Sequence, residues 1–105
     1  MSNEMAGATE KSCEDILREA VLHYGGPMQE IKAIEELGEL IQAIAKRWTC
    51  GGAEESDEAM SNLAEEMADV EIMLEQLKIV YGNQNKVAIW REIKLGRLSA
   101  RMREE

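Results

Sequence analysis

The sequence contains no phenylalanine, one proline, one histidine and two cysteines among its 105 residues. The cysteines, Cys13 and Cys50, stand far apart and form no paired-thiol motif, and the lone His23 makes a structural zinc site improbable. No apolar run approaches the ~18 residues of a membrane-spanning helix. The first twelve residues lack the basic-then-apolar pattern of a signal peptide. We therefore expect a cytoplasmic protein with no membrane partner.

Positive charge is also scarce, because 12 basic residues stand against 21 acidic ones and the formal net charge is −9. Nucleic-acid backbones are bound by clustered lysines and arginines, so we expect no nucleic-acid partner. An anionic small molecule is not excluded, provided that a cation bridges the charges. A chain of 105 residues forms one domain, close to the size at which oligomerisation often adds buried surface.

The spacing of apolar residues predicts an all-α protein, with four helices and no strand. Residues 1–11 are small and polar and are expected to form a flexible N-terminus, followed by a single all-α domain over 12–105. Three of the predicted helices cover about 13–24, 27–48 and 84–102, and the remaining one is capped by Ser56 or Asp57 and continues to Tyr81. Ser12 is a candidate cap of the first helix, Gly25-Gly26 and Gly82-Asn83 are breaks, and 49–55 is predicted to be a loop. Short connections between four helices favour a helical bundle.

Two of these helices carry marked apolar faces. The stripe of the second helix consists of Ile31, Ile34, Leu37, Ile41, Ile44 and Trp48. The third helix is apolar on two sides, with Leu63 and Val70 on one and Ile72 and Ile79 on the other. Since a helix that is apolar on two sides is normally buried on both, we expect its second side to contact another subunit.

Acidic residues three positions apart occur once in the second helix and once in the third. Glu36 and Glu39 form the first pair, and Glu66 and Asp69 form the second. Residues i and i+3 are neighbours on a helix surface, so two facing pairs would gather four hard oxygen ligands for a divalent cation. Glu66 falls within the apolar stripe of its helix, where an ionised carboxylate is costly unless a metal or another charge neutralises it.

Each of these features also has a purely structural interpretation. Acidic clusters on helices are usually solvated, and Lys32 and Glu36 have the spacing of an ordinary ion pair. Glu66 could pair with a lysine or an arginine. In the fourth helix, Lys94 and Arg97 belong to a basic strip that could contact phosphate oxygens, although basic residues near a helix C-terminus also complement the macrodipole.

The motif Glu-Glu-x-x-Glu over 35–39, a spacer of 26 residues and Glu-x-x-Asp over 66–69 resembles the all-α nucleoside triphosphate pyrophosphohydrolases, the MazG-like superfamily. That superfamily includes the dimeric dUTPases and the dCTP pyrophosphatases. The flanking segments KAIEELGELIQAIAK (32–46) and NLAEEMADVEIMLEQL (62–77) strengthen the similarity, which extends over about 15–101.

The resemblance implies a four-helix bundle completed across subunits in a homodimer or homotetramer. It also implies Mg²⁺-dependent hydrolysis of a nucleoside triphosphate to the monophosphate and pyrophosphate, with Mn²⁺ as a substitute. The residues that the resemblance assigns are Glu36, Glu39, Glu66 and Asp69 as metal ligands, Glu35 as a catalytic residue, and Lys94 and Arg97 as substrate-binding residues. The alternative is a non-catalytic acidic helical oligomer that acts as an interaction or regulatory module, its carboxylates making salt bridges.

Overall fold

The first helix begins at Ser12 in the computed structural model, which describes residues 11–49 and 57–105. The Ser12 Oγ accepts a hydrogen bond of 3.0 Å from the backbone N–H of Asp15, whose carboxylate accepts one of 3.4 Å from the backbone N–H of Ser12. This reciprocal capping box satisfies two amide groups that the helix start would otherwise leave unpaired. The predicted cap is therefore confirmed.

Four helices make up the described part of the chain, and it contains no strand. They are α1 (Cys13–Tyr24), α2 (Gly26–Thr49), α3 (Asp57–Tyr81) and α4 (Gln84–Glu104). The predicted all-α class is confirmed. The expected flexible N-terminus, apart from Lys11, and nearly all of the loop predicted over 49–55 lie outside the described residues.

Glycines separate α1 from α2 and α3 from α4. Gly25 has a φ of 88° and Gly82 a φ of 61°, values at which a Cβ atom would be strained. The Gly25 amide donates a hydrogen bond of 2.8 Å to the carbonyl oxygen of Val21 and so closes the end of α1. Both breaks lie where the glycines predicted them.

The main packing interface lies between α2 and α3, which run antiparallel. The start of α2 meets the end of α3, where the Tyr81 hydroxyl donates a hydrogen bond of 2.7 Å to the Glu30 carboxylate. Ala33, Val70 and Met73 are the buried apolar residues of the described chain. The shorter α1 packs on α3 and α2, whereas α4 contacts only α3 among the described helices.

The face of α2 that packs against α3 is not the apolar stripe that the sequence predicts. Gln29, Ala33 and Glu36 are the buried residues of α2, spaced four and three positions apart. The stripe itself is exposed, with Ile34 71% and Ile41 66% accessible. The structural interpretation of the acidic pair as solvated therefore does not hold for Glu36, because α2 turns Glu36 toward α3 together with Gln29 and Ala33.

A large apolar surface remains uncovered in a single chain. No residue of α4 is buried, and both tryptophans, Trp48 in the predicted stripe of α2 and Trp90 in α4, are exposed. The Cα radius of gyration is 17.9 Å, against about 13 Å for a compact chain of this length. None of the helices that the structure describes is long and apolar enough to cross a membrane.

Candidate metal centre

Two neighbouring helices bring three glutamates together near the middle of their interface. Glu36 and Glu39 lie about one turn apart on α2, and Glu66 faces them from α3. Each residue offers one carboxylate oxygen, and the three oxygens lie within 4.8 Å of one another. Glu36 is buried, Glu66 is half-buried and Glu39 is exposed, so the cluster opens toward solvent on one side. Three of the four predicted metal ligands therefore meet at one point.

Two oxygens of this cluster, Oε1 of Glu36 and Oε1 of Glu66, are buried and have no hydrogen-bond partner among the described residues. The other oxygen of Glu36, Oε2, lies 3.4 Å from the Nζ atom of the exposed Lys32. Among residues 11–49 and 57–105, no lysine or arginine forms an ion pair with Glu66. The salt-bridge interpretation of Glu66 therefore has no partner in the part of the chain that the structure describes.

The surroundings of Glu66 oppose its ionisation. Desolvation is the largest cause that raises the pKa of Glu66 above its ordinary value, and the negative charges of Glu39, Asp69 and Glu36 raise it further. Like charges that are partly shielded from water favour the binding of a proton or a cation. The carboxylates fit a hard cation, because oxygen is the donor that such ions prefer.

Asp69 and Glu35 lie near the three converging glutamates but are not part of that group. Asp69 is half-buried one turn after Glu66, and its charge contributes to the raised pKa of Glu66. It is not one of the three residues whose oxygens converge. Glu35 is exposed, and its Oε1 lies 3.5 Å from the Nζ atom of Lys32.

Lys94 and Arg97 lie on the exposed helix α4. The Arg97 guanidinium carbon lies 5.9 Å from the centre of the Trp90 ring, a cation–π arrangement. Lys94 lines a separate surface groove beside Trp90. Neither residue borders the cavity beside the acidic cluster. The structure of one chain thus does not bring them to the three glutamates.

A cavity of about 400 Å³ adjoins the cluster between the second half of α2 and the first half of α3. Glu39 and Glu66 form part of its wall, and Lys46 and Arg47 form another part. The amides of the cavity are Gln42 and Asn62, and its apolar residues are Ala43, Ala59, Met60 and Leu63.

Lys46, Arg47 and Asn62 were not among the residues that the motif assigns. The sequence spacing does indicate where two of them, Lys46 and Asn62, lie. Lys46 follows Glu39 by seven residues, and Asn62 precedes Glu66 by four, so each shares a helix face with a carboxylate of the cluster.

Comparisons of the chain with protein-family models, with curated proteins and with solved structures give no significant match. The function must therefore be argued from the site itself. The acidic triad of Glu36, Glu39 and Glu66 could hold a metal ion.

Proposed function

We propose that this protein is a Mg²⁺-dependent pyrophosphohydrolase that converts a nucleoside triphosphate, preferably a deoxynucleotide, to the monophosphate and pyrophosphate. The observation that carries the proposal is the pair of buried, unpartnered oxygens on Glu36 and Glu66, beside an accessible cavity. Buried polar atoms are rarely left without a partner, so a ligand at this point accounts for them. The two-part acidic motif supports the same assignment.

Glu36, Glu39 and Glu66 would hold the metal, with Asp69 as the fourth carboxylate. When bound, Mg²⁺ or Mn²⁺ would neutralise charge on the phosphate oxygens and lower the pKa of a coordinated water. The ligands lie on long helices, which hold their carboxylates in place better than loops would. Glu35 lies beside Lys32 at the edge of the cluster, and we propose that it orients the attacking water.

We further propose that the working form is an oligomer, a dimer or a tetramer. The apolar stripe of α2, the second side of α3 and most of α4 are exposed in one chain. Patches of this extent are rare on monomers and mark interaction surfaces. In such an assembly, Lys94 and Arg97 would reach a phosphate only at the site of a neighbouring copy, because within one chain they lie away from the cavity.

The rival function is a non-catalytic acidic oligomer whose carboxylates serve only in salt bridges. The ion pairs of the described chain do include Glu36, through Lys32. That pair leaves Glu66 unexplained, and for this reason we favour the enzyme.

The decisive experiment measures pyrophosphate release from a panel of canonical and modified nucleoside triphosphates, with Mg²⁺ and with EDTA. Glu66→Gln tests the cluster, and Glu65→Gln is the matched control because Glu65 is the exposed neighbour on the same helix. We expect metal-dependent release by the wild type and by Glu65→Gln, and a loss of about hundredfold or more in Glu66→Gln. Release by no member of the panel, together with no thermal shift from Mg²⁺, would reject the enzyme in favour of the scaffold.

A further inference from the structure

The cavity beside the acidic cluster carries opposite charges at its two ends. Glu39 and Lys46 are seven residues apart on α2, which places their Cα atoms about 10 Å apart along the helix axis. Seven residues are nearly two turns, so both side chains lie on the same face and border the same cavity. Arg47 follows directly and adds a second positive charge at that end.

The direction of these basic side chains favours a ligand between the two ends. In an α-helix the Cα–Cβ bonds tilt toward the N-terminus, so long side chains lean that way. This geometry favours conformations of Lys46 and Arg47 that extend along α2 toward Glu39. A ligand that extends from the carboxylates would meet their cationic groups.

The residues that line the cavity favour the phosphate chain of a nucleotide over its base. Ala43, Ala59, Met60 and Leu63 form the apolar part of the wall, and none of the described residues that border the cavity has an aromatic ring that could stack on a base. A phosphate chain, in contrast, needs a metal at one end and cations at the other. Arginine matches phosphate oxygens through its planar fork, and lysine contacts them as a point charge.

We propose that Lys46 and Arg47 bind the distal phosphates of the substrate, the group that leaves as pyrophosphate. The proposal rests on the function proposed above, since the carboxylate end needs its metal. It assigns the phosphate chain to this cavity, along α2 from the Glu39 end to the Lys46 end. The nucleoside then extends from the cavity on the carboxylate side.

Binding of inorganic pyrophosphate tests this assignment without requiring turnover. The measurement is the thermal midpoint of the full chain with Mg²⁺ alone and with Mg²⁺ plus pyrophosphate, titrated to obtain an affinity. We expect pyrophosphate to raise the midpoint beyond the effect of Mg²⁺. In Lys46→Gln/Arg47→Gln its affinity should fall about ten- to hundredfold, while the shift from Mg²⁺ alone remains.

The matched control removes one lysine and one arginine elsewhere. Lys11 and Arg18 are exposed residues that pair with Glu19 and Glu14, and exposed pairs contribute little to stability. Lys11→Gln/Arg18→Gln should bind pyrophosphate like the wild type. Lys46→Arg should retain binding, because the charge at the cavity is kept.

The outcomes separate the two proposals. A shift from Mg²⁺ with no response to pyrophosphate, or with a response that Lys46→Gln/Arg47→Gln leaves unchanged, overturns the phosphate assignment and leaves the metal centre standing. An equal loss of affinity in Lys11→Gln/Arg18→Gln also overturns it, since the effect would then be one of net charge. No shift from either ligand overturns the metal centre and the phosphate site together.

Discussion

A carboxylate oxygen of Glu36 lies within 4.8 Å of one of Glu66, and each residue buries an Oε1 atom that finds no hydrogen-bond partner in the described part of the chain. The two residues are on different helices, α2 and α3, so the helix interface itself holds like charges together. A folded chain tolerates this arrangement only at a cost in stability, which a bound proton or cation removes.

Removing the charge of Glu66 should therefore stabilise the metal-free protein. In EDTA we expect Glu66→Gln to melt at a higher temperature than the wild type, because an amide of the same shape does not ionise. Addition of Mg²⁺ should reverse the order of the two melting temperatures. At a hundredfold excess over its dissociation constant, a ligand of the native state adds about 2.7 kcal/mol to the free energy of unfolding. Glu66→Gln lacks one of the carboxylates that would bind the metal, so Mg²⁺ should add little to its free energy of unfolding.

The control for this comparison is Glu65→Gln, which should follow the wild type in both conditions. A Glu66→Gln protein that is less stable than the wild type in EDTA would contradict the prediction. It would indicate that Glu66 has a stabilising partner.

The raised pKa of Glu66 predicts a specific dependence of stability on pH. The ordinary value of this carboxyl is 4.5, and the folded state raises it. The folded chain then holds the proton more tightly than the unfolded chain, so this residue's favourable contribution is complete below 4.5 and is lost as the pH rises through the raised pKa.

Thermal melts in EDTA over a pH series would measure that loss as a change in the difference between the melting midpoints of the wild type and Glu66→Gln. The midpoint of the wild type minus that of Glu66→Gln should decrease as the pH rises above 4.5 and then level off. The increase caused by Mg²⁺ should grow over the same interval, since the metal competes with the proton. A difference that is independent of pH would refute the assignment of the raised pKa to Glu66.

Met73 is one of three buried apolar residues of the described chain, so its truncation should destabilise the fold. We expect Met73→Ala to lower the free energy of unfolding by about 2 to 4 kcal/mol, because it leaves a cavity in a small core. Leu22 is 86% exposed, and Leu22→Ala should change stability by no more than about 0.5 kcal/mol. Urea unfolding of both variants measures the contrast, and equal effects would place the core elsewhere.

The exposed stripe of α2 predicts self-association. Sedimentation of the wild type should give a mass at least twice that of one chain. Ile34→Glu introduces a charge at a position that is 71% accessible in the single chain, so it has no packing to disturb there. We expect it to reduce the mass toward that of the monomer, because burying a carboxylate in an interface is costly.

Lys32→Gln is a useful comparison, since Lys32 is an exposed residue of the same helix and lies two positions from Ile34, on the opposite side of the helix. It should leave the mass unchanged. A monomeric wild type, or an Ile34→Glu protein of undiminished mass, would rule out this stripe as the subunit interface.

The sequence predicted the helices well because their ends depend on local chemistry. Ser12 with Asp15 makes a capping box, and Gly25 and Gly82 supply backbone conformations that other residues avoid. The meeting of Glu36 with Glu66 could likewise be predicted, since the motif places a carboxylate on each of two consecutive helices.

The orientation of α2 could not be predicted from its periodicity. The pattern identifies the most apolar face, of which Ile34 is a member, but it does not say which neighbour covers that face. Here α3 packs against the face that contains Ala33 and Glu36 instead. Lys46 and Arg47 were overlooked for a related reason, because a basic residue on the polar side of a helix has an ordinary explanation until the opposite wall is known.

The three converging glutamates all belong to one chain, and this has a consequence for mixed populations. If intact and Glu66→Gln chains assemble together, each intact chain keeps a complete carboxylate set whatever its neighbour carries. Metal binding should then decline in simple proportion to the fraction of altered chains. An altered chain of this kind would not act as a dominant-negative inhibitor through the carboxylate cluster, since it removes no ligand from the chains with which it assembles.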